Sequence, residues 1–265
     1  MTSTVSSYVL DPAWDRERQR LEALTGLYQP TTHRLLEQIG VEPGWHCLDA
    51  GAGTGNVAAL LSGMVGARGK VVATDLDTRF LDELYQANIE VRRHDIVNDD
   101  LEENTYDLVH VRLLLMHLPD RAAVARKLIR ALKPGGWLLA EDFDFVTWGA
   151  FEPEAPLQLR AKEAIVGLMT GVGVEPQMGR KLPALLEAAG LEEVTAEAFT
   201  RVVPRGGRGI EAAALMMEQL RDKLIALELI TATEIDGAIA ECRMPAEGHW
   251  GAAPLMVSVW GRRTA

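Results

Sequence analysis

One acid and three glycines at alternate positions are the part of this chain with the most chemical content. They are Asp49, Gly51, Gly53 and Gly55, within the segment LDAGAGTGN at 48–56. Apolar residues precede the glycines at strand length and follow them at helical spacing, which predicts a tight turn between a strand and a helix. Backbone at such a turn can approach a ligand closely, as is typical of a nucleotide-type cofactor site.

The glycine spacing and the acid indicate which cofactor the turn suits. A dinucleotide fingerprint, GxGxxG, would need glycine at position 56, where this chain has Asn56. Asp49 would also place a carboxylate beside any pyrophosphate at the helix N-terminus, where the helix dipole favours anions. The pattern therefore favours a zwitterionic or cationic cofactor, and it disfavours a nicotinamide-dependent oxidoreductase.

A second acid stands where a ribose would be bound. Asp75 ends the apolar segment KVVATD at 70–75, twenty residues after Gly55. An acid at that distance is placed to accept hydrogen bonds from ribose hydroxyls. Three further segments follow in order: RHDI at 93–96, YDLVHVR at 106–112 and LKPGGWLL at 132–139.

In this order the segments resemble the class I S-adenosylmethionine-dependent methyltransferases of the bacterial small-molecule type, strongly over residues 41–145. That family has a DxGxGxG loop and a ribose-binding acid after its second strand. The resemblance implies S-adenosylmethionine as cofactor and S-adenosylhomocysteine as product. It implies these cofactor-binding residues: Tyr8, Arg20, Asp49, Gly51, Gly53, Gly55, Asp75, Leu76, Asp95, Ile96, Val111 and Arg112.

The resemblance also implies individual roles at the adenine and sulfonium ends. Leu76 would pack on adenine, and Asp95 with Ile96 would contact the adenine edge. Val111 and Arg112, at the end of the fourth strand, would face the sulfonium region. A surface position or an internal ion pair is an equally open interpretation of Arg112.

The N-terminal residues Tyr8 and Arg20 would close over the methionine carboxylate in the family's manner. A guanidinium suits that role because its planar fork pairs bidentately with a carboxylate. The alternative is an amphipathic helix that carries Arg20 into solvent, since charge runs are usually solvated.

Two acids, Asp142 and Asp144, lie in the segment EDFDF at 141–145, at the predicted carboxyl end of the fifth strand. Ligands of open α/β sheets bind at that end. We predict Asp142 and Asp144 as catalytic candidates that take a proton from the acceptor or hold a cationic acceptor. They share strand parity, so both side chains are expected on one face. The alternative is that they cap a neighbouring helix or face water.

Strands and helices alternate from 45 to 145, which predicts a doubly wound α/β fold. With the resemblance, we expect a Rossmann-like, mostly parallel seven-stranded sheet with an antiparallel last strand and helical lid insertions. The predicted domains are an N-terminal helical cap at 1–40 and a methyltransferase domain at 41–265, with acceptor-side insertions at about 146–179 and 204–250. Local patterns predict helices at 57–65, 79–87, 121–132 and 180–189, strands at 194–203 and 255–260, and a capping box from Thr233 to Asp236.

Composition narrows the function classes. The chain has 265 residues, a formal net charge of −11 and a pI near 5.1, which disfavours nucleic acid and anionic membranes as partners. No targeting segment or membrane span is predicted. Cys47 and Cys242 lack spaced partners and the histidines are scattered, so we expect no metal site and a reducing, cytoplasmic setting.

The function expected from this resemblance is methyl transfer to a small-molecule acceptor in specialised, natural-product metabolism. Direct displacement would proceed by proximity, with a carboxylate base where a proton must be removed. The alternatives are a methyltransferase acting on a quinone or another core-pathway intermediate, and a cofactor-binding protein without turnover. A homodimer is compatible with the sequence.

Overall fold

A computed structural model describes residues 10–11 and 13–264 of the chain. The larger of its two sheets has seven strands. The α-helices are α1 (Glu17–Ile39), α2 (Asn56–Val65), α3 (Arg121–Ala131), α4 (Pro156–Gly171), α5 (Met178–Ala188), α6 (Glu211–Ala226) and α7 (Ala232–Arg243). The strands are β1 (His46–Ala50), β2 (Lys70–Asp75), β3 (Ile89–Arg93), β4 (Tyr106–Arg112), β5 (Leu132–Asp144), β6 (Phe151–Glu152), β7 (Glu192–Phe199), β8 (Val202–Pro204), β9 (Trp250–Ala252) and β10 (Leu255–Arg262). Short 3-10 helices span Leu115–His117 and Arg208–Ile210.

The strand order confirms the predicted fold. The large sheet runs β3-β2-β1-β4-β5-β10-β7. The pairs β1·β2, β1·β4, β2·β3 and β4·β5 are parallel, whereas the last strand, β10, pairs antiparallel with β7. Parallel strands place their carboxyl ends at one edge, so the ends of β1, β2, β4 and β5 come together there.

The chain divides into two compact units. The sheet unit comprises Tyr28–Phe143, Met178–Phe199 and the segment from Met256 onward. Its core is built by apolar residues of β1, β2 and β4 and of helices α1 and α2, because the central strands are buried on both faces. No helix of the described residues is long and apolar enough to cross a bilayer.

The helical unit comprises the described residues up to Leu27, Asp144–Gln177 and Thr200–Leu255. It contains α4, α6 and α7 and a small antiparallel sheet of order β6-β9-β8. An ion-pair cluster ties its N-terminal segment to α6 and α7: Arg16 and Arg243 each pair with both Glu211 and Glu218.

Several element predictions are confirmed. The predicted helix at 121–132 is α3, and Asp120 caps it by accepting a hydrogen bond from the Ala123 N–H at 3.0 Å. The helix predicted at 180–189 is α5, and the strand predicted at 255–260 is β10.

The helix predicted over 79–87 is wrong, because the chain forms consecutive turns there. The carboxylate of Asp77 accepts a hydrogen bond from the Arg79 N–H, and the Leu81 and Leu84 N–H groups donate to carbonyls three residues earlier. A side chain that bonds its own backbone in this way competes with helix formation. Packing of Leu81, which is fully buried, then fixes the turns.

Two smaller predictions are also wrong. The single strand predicted over 194–203 is two strands: β7 belongs to the large sheet and β8 to the small one. Thr200, between them, donates its hydroxyl to the Ala253 carbonyl, which ends the first strand. The capping box of α7 is formed by Thr231 and Glu234 and not by Thr233 and Asp236, because Thr231 is the residue that precedes the helix.

Candidate functional site

The glycine turn between β1 and α2 has the conformation that its sequence predicts. Gly51, Gly53 and Gly55 have φ angles of 72°, 56° and 75°, in the left-handed region that favours glycine. A Cβ on Gly55 would also lie 2.6 Å from Cδ1 of Leu84. The turn therefore requires glycine at position 55 both for its backbone angle and for the close contact with Leu84.

Asp75, at the end of β2, holds this turn from the neighbouring strand. Its Oδ2 accepts a hydrogen bond from the Gly53 N–H at 2.9 Å, and its Oδ1 accepts one from the Asp77 N–H at 3.1 Å. Burial raises the pKa of Asp75 above its usual value. The next residue, Leu76, is 60% exposed. An acid with an exposed apolar neighbour suits a nucleoside, which offers hydroxyls and a flat ring.

A buried chain of polar side chains crosses the middle of the sheet. Asp49 on β1 lies opposite His110 on β4, and His110 Nδ1 is 2.7 Å from Asp49 Oδ1. The other ring nitrogen, Nε2, is 3.2 Å from Oε2 of Glu141 on β5. The side chains of His110 and Glu141 are each 1% exposed, and that of Asp49 is 3% exposed. The imidazole thus bridges two carboxylates.

Hydroxyl groups complete the surroundings of Glu141. Thr32 of α1 donates to Oε2 of Glu141 at 2.7 Å, and Ser258 of β10 donates to Oε1 at 2.7 Å. Arg112, which pairs in register with Glu141, donates to the Thr32 hydroxyl at 3.1 Å. Both oxygens of this buried carboxylate therefore have donors, as a buried charge requires.

We call Asp49, His110 and Glu141 the bridge, and its protonation follows from these contacts. Burial alone would lower the pKa of His110, but its hydrogen bonds to Asp49 and Glu141 raise that pKa above the ordinary histidine value. Burial would raise the pKa of Glu141, but the hydrogen bond from His110 holds it below the usual range. The bridge is therefore an imidazolium between two carboxylates, and each ring nitrogen donates.

One oxygen of the bridge has no partner. Asp49 Oδ2 is buried, and no described residue donates a hydrogen bond to it. A buried carboxylate oxygen left in this way needs a donor or a cation. With the left-handed glycines beside it and Asp75 at the neighbouring strand end, the residues fit a cofactor that carries a ribose and a positively charged group.

Asp142 occupies the carboxyl end of β5. Its Oδ2 accepts a hydrogen bond from the Met116 N–H at 3.0 Å, and its Oδ1 is buried without a partner among the described residues. Burial raises the pKa of Asp142 to about 8. The side chains of Glu141 and Phe143 both contact α1, Glu141 at Thr32 and Phe143 at Tyr28, so alternation along β5 separates them from Asp142.

Asp144 and Arg20 belong to the helical unit. Asp144 is buried, and its Oδ1 accepts a hydrogen bond from the Val146 N–H at 3.0 Å. Arg20 is also buried, and its guanidinium forms a bidentate pair with Glu17 at 2.8 and 2.5 Å. Tyr8 lies outside the described residues. The catalytic role of Asp144 and the cofactor roles of Tyr8 and Arg20 stay predictions.

The remaining predicted contacts lie beside β3 and β4. The carboxylate of Asp95 accepts hydrogen bonds from Val97 and Asn98 and so closes its own turn. Ile96 is 7% exposed and Val111 is 1% exposed. Their contacts with adenine and with the sulfonium region stay predictions.

The bridge is the part of the site that sequence reasoning missed. His110 was available as a signal, since it interrupts the apolar run LVHV at 108–111, and so was Glu141, which directly follows the apolar run WLLA at 137–140. Thr32 and Ser258 gave no such signal, because small hydroxyl residues occur in helices and strands for many reasons. Among the described residues, no group of three or more histidines, cysteines or acids is arranged to hold a metal ion.

Comparisons with known proteins identify the family of this chain. Residues 48–140 match the family described as a methyltransferase domain. The chain is 30% identical over 204 residues to the ubiquinone/menaquinone biosynthesis C-methyltransferase UbiE of Pseudomonas putida, covering 68% of this chain and 79% of that protein. It is 39% identical over 90 residues to the methyltransferase str2 of Strobilurus tenacellus, covering 33% of this chain and only 32% of that protein.

A solved structure shares the fold. The phosphoethanolamine N-methyltransferase 2 of Haemonchus contortus, in complex with phosphomonomethylethanolamine and S-adenosylhomocysteine, superposes with a TM-score of 0.55. The identity is 17%, and the match covers 98% of this chain and 55% of that one.

Together with the fold, the matched family and the relatives define an S-adenosylmethionine-dependent α/β enzyme. The chain belongs to the class I S-adenosylmethionine-dependent methyltransferases, of the small-molecule type. When bound, S-adenosylmethionine supplies an electrophilic methyl group on a sulfonium. The protein's own residues must then bind it, orient the acceptor and, where needed, accept a proton.

Proposed function

We propose that this methyltransferase acts on a small molecule of specialised metabolism whose nucleophile loses a proton during transfer, with Asp142 as the base. The observation that carries the proposal is the Asp142 carboxyl, buried at the carboxyl end of β5 with Oδ1 unpartnered among the described residues. A base with a pKa near the working pH is effective, because it is present in the ionised form and still holds a proton well.

The cofactor contacts follow the same reasoning. We infer that Asp49, Gly51, Gly53 and Gly55 hold the methionine part, and that Asp75 holds the ribose. Leu76, Asp95 and Ile96 would surround adenine, whereas Val111, Arg112, Tyr8 and Arg20 would lie at the methionine end. The unpartnered Oδ2 of Asp49 and the exposed side chain of Leu76 support this assignment.

A second candidate acceptor is a quinone precursor. It is favoured by the relative named as a ubiquinone/menaquinone biosynthesis C-methyltransferase, which this chain matches over 79% of that protein's length. The two candidates differ in acceptor and agree in cofactor.

We infer that the insertions at about 146–179 and 204–250 select the acceptor. We also infer that the enzyme works in the cytoplasm, which suits its two buried free thiols. A homodimer stays a prediction.

The test starts with methyl-labelled S-adenosylmethionine and two acceptor panels. One panel holds intermediates of the pathway that the neighbouring genes encode, and the other holds prenylated quinones that lack one ring methyl. Labelling confined to the first panel supports specialised metabolism. Labelling of a quinone would overturn the assignment to specialised metabolism and would support a quinone precursor as the acceptor.

Once the acceptor is identified, the Asp142→Asn variant tests whether Asp142 is the base. Proton removal by a placed base contributes typically ~10² to 10⁴ in rate, so kcat should fall by that order while the affinity for S-adenosylhomocysteine is retained. The kcat of the parent should rise with pH through about 8, where Asp142 ionises, and the variant should lose that rise. Asp144→Asn is the matched comparison on the same strand. If Asp142→Asn turns over at the parental rate, catalysis rests on proximity or on Asp144.

A further inference from the structure

We propose that His110 and Glu141 are positioning residues of the cofactor site, which orient the Asp49 carboxylate so that Oδ2 is reserved for the cationic part of the cofactor. The proposal rests on the assignment of Asp49 to the cofactor, made above. It adds two residues on other strands that act only through Asp49.

Strand register and hydrogen bonds fix the orientation of the Asp49 carboxylate. In-register pairing of β1 with β4 places Asp49 beside His110, and the 2.7 Å contact at Nδ1 uses one oxygen of the carboxylate, Oδ1. The ring cannot turn away, because its other nitrogen is 3.2 Å from Glu141. Glu141 is fixed in turn by Thr32 and Ser258. The carboxylate plane of Asp49 is therefore set by a chain of contacts anchored on α1 and β10.

The three side chains of the bridge also alternate in charge. Asp49 and Glu141 are both buried, and His110 is the cation between them. Without that cation, two buried acidic side chains would face each other in a site of low dielectric constant with no charged partner. His110 thus supplies the charged partner of Asp49, and Glu141 supplies that of His110.

A double-mutant cycle on the affinity for S-adenosylhomocysteine tests the proposal. This ligand keeps the ammonium and lacks the transferable methyl, so binding is measured without turnover. His110→Gln retains a side-chain donor and loses the charge. We expect Asp49→Asn and His110→Gln each to weaken binding at least tenfold, or about 1.4 kcal/mol. The affinity of the double variant for S-adenosylhomocysteine should lie within about twofold of that of the more weakly binding single variant, since His110 acts through Asp49.

His46→Gln is the matched control, because it is the same change on β1, three residues before Asp49. It should bind S-adenosylhomocysteine as the parent does. If Asp49→Asn binds normally, the cofactor assignment of Asp49 fails. If Asp49→Asn is weak while His110→Gln is normal, or if the two losses multiply, only the positioning role fails.

A measurement on the unmodified protein keeps the proposal testable should His110→Gln not fold. The ring nitrogen signals of ¹⁵N-labelled histidine are followed while S-adenosylhomocysteine is added. The Nδ1 signal of His110 should move as Asp49 Oδ2 gains its partner, and the signals of His46 should stay in place. An unchanged His110 signal at saturation would overturn the positioning role.

Discussion

The backbone N–H of Met116 donates to Oδ2 of Asp142 at 3.0 Å, so the turn after β4 holds the carboxyl at the end of β5. The contact uses only one carboxylate oxygen. The other, Oδ1, has no partner among the described residues, and the side chain of Asp142 is buried. The acid and the turn that follows the neighbouring strand are thereby fixed to each other.

The raised pKa of Asp142 makes stability depend on pH. In the folded protein the pKa is about 8, against an ordinary value of 3.8. Between these values the folded state holds a proton that the unfolded state has released. The free energy of unfolding should therefore fall as pH rises from about 4 to about 8, by at most ~1.4 kcal/mol per pH unit from this group, and change no further above 8.

Urea unfolding of the parent and of Asp142→Asn, measured at several pH values in this range, checks the expectation. The difference in free energy of unfolding between the two proteins should shift in favour of the variant as pH rises. Parallel pH profiles would show that Asp142 titrates in its ordinary range.

His46, at the start of β1, and His110, in β4, should have pKa values on opposite sides of the ordinary histidine value of 6.5. Hydrogen bonds to two carboxylates raise the pKa of His110, whereas burial and the nearby Lys70 and Lys133 lower that of His46. A pH titration of the ring signals by NMR measures both in one sample. A neutral His110 at pH 6.5 would contradict the buried imidazolium.

Gly55 should tolerate no side chain. Gly55→Ala combines a left-handed φ of 75° with a contact of 2.6 Å to Leu84. Gly40→Ala is the matched control, because its φ is 82° and nothing lies within 4 Å of the added Cβ. The control should lose about 1–2 kcal/mol of stability from the backbone angle alone. Gly55→Ala should lose more in chemical unfolding, and equal losses would mean that Leu84 simply moves aside.

Asp75→Ala should weaken binding of S-adenosylhomocysteine by about 1–3 kcal/mol, the range for losing hydrogen bonds to a charged group. Asp77→Ala is the control, an acid two residues further whose carboxylate contacts Arg79 and whose backbone N–H, which donates to Asp75, is kept in the variant. It should change the affinity by about twofold at most. Calorimetry on both variants decides, and an unchanged affinity for a folded Asp75→Ala would remove the ribose role.

The sequence predicts those parts of this fold that depend on local pattern. The glycine turn, the acid after β2 and the helix after Asp120 are each specified by residues within a few positions of one another. The segment 79–87 was misread because the side chain of Asp77 and the burial of Leu81 outweigh helical spacing. The bridge was missed because Asp49, His110 and Glu141 lie on three strands that only the folded sheet brings together.

The measurement that tests the account most directly is calorimetric titration of the protein with S-adenosylhomocysteine and, separately, with NAD. The GxGxG spacing and the Asp49 carboxylate beside the turn favour a cofactor with a positive charge and no pyrophosphate, and Asp75 at the end of β2 favours one that carries a ribose. We expect S-adenosylhomocysteine to bind at least tenfold more tightly than NAD, a difference of about 1.4 kcal/mol. Equal or tighter binding of NAD would contradict the account.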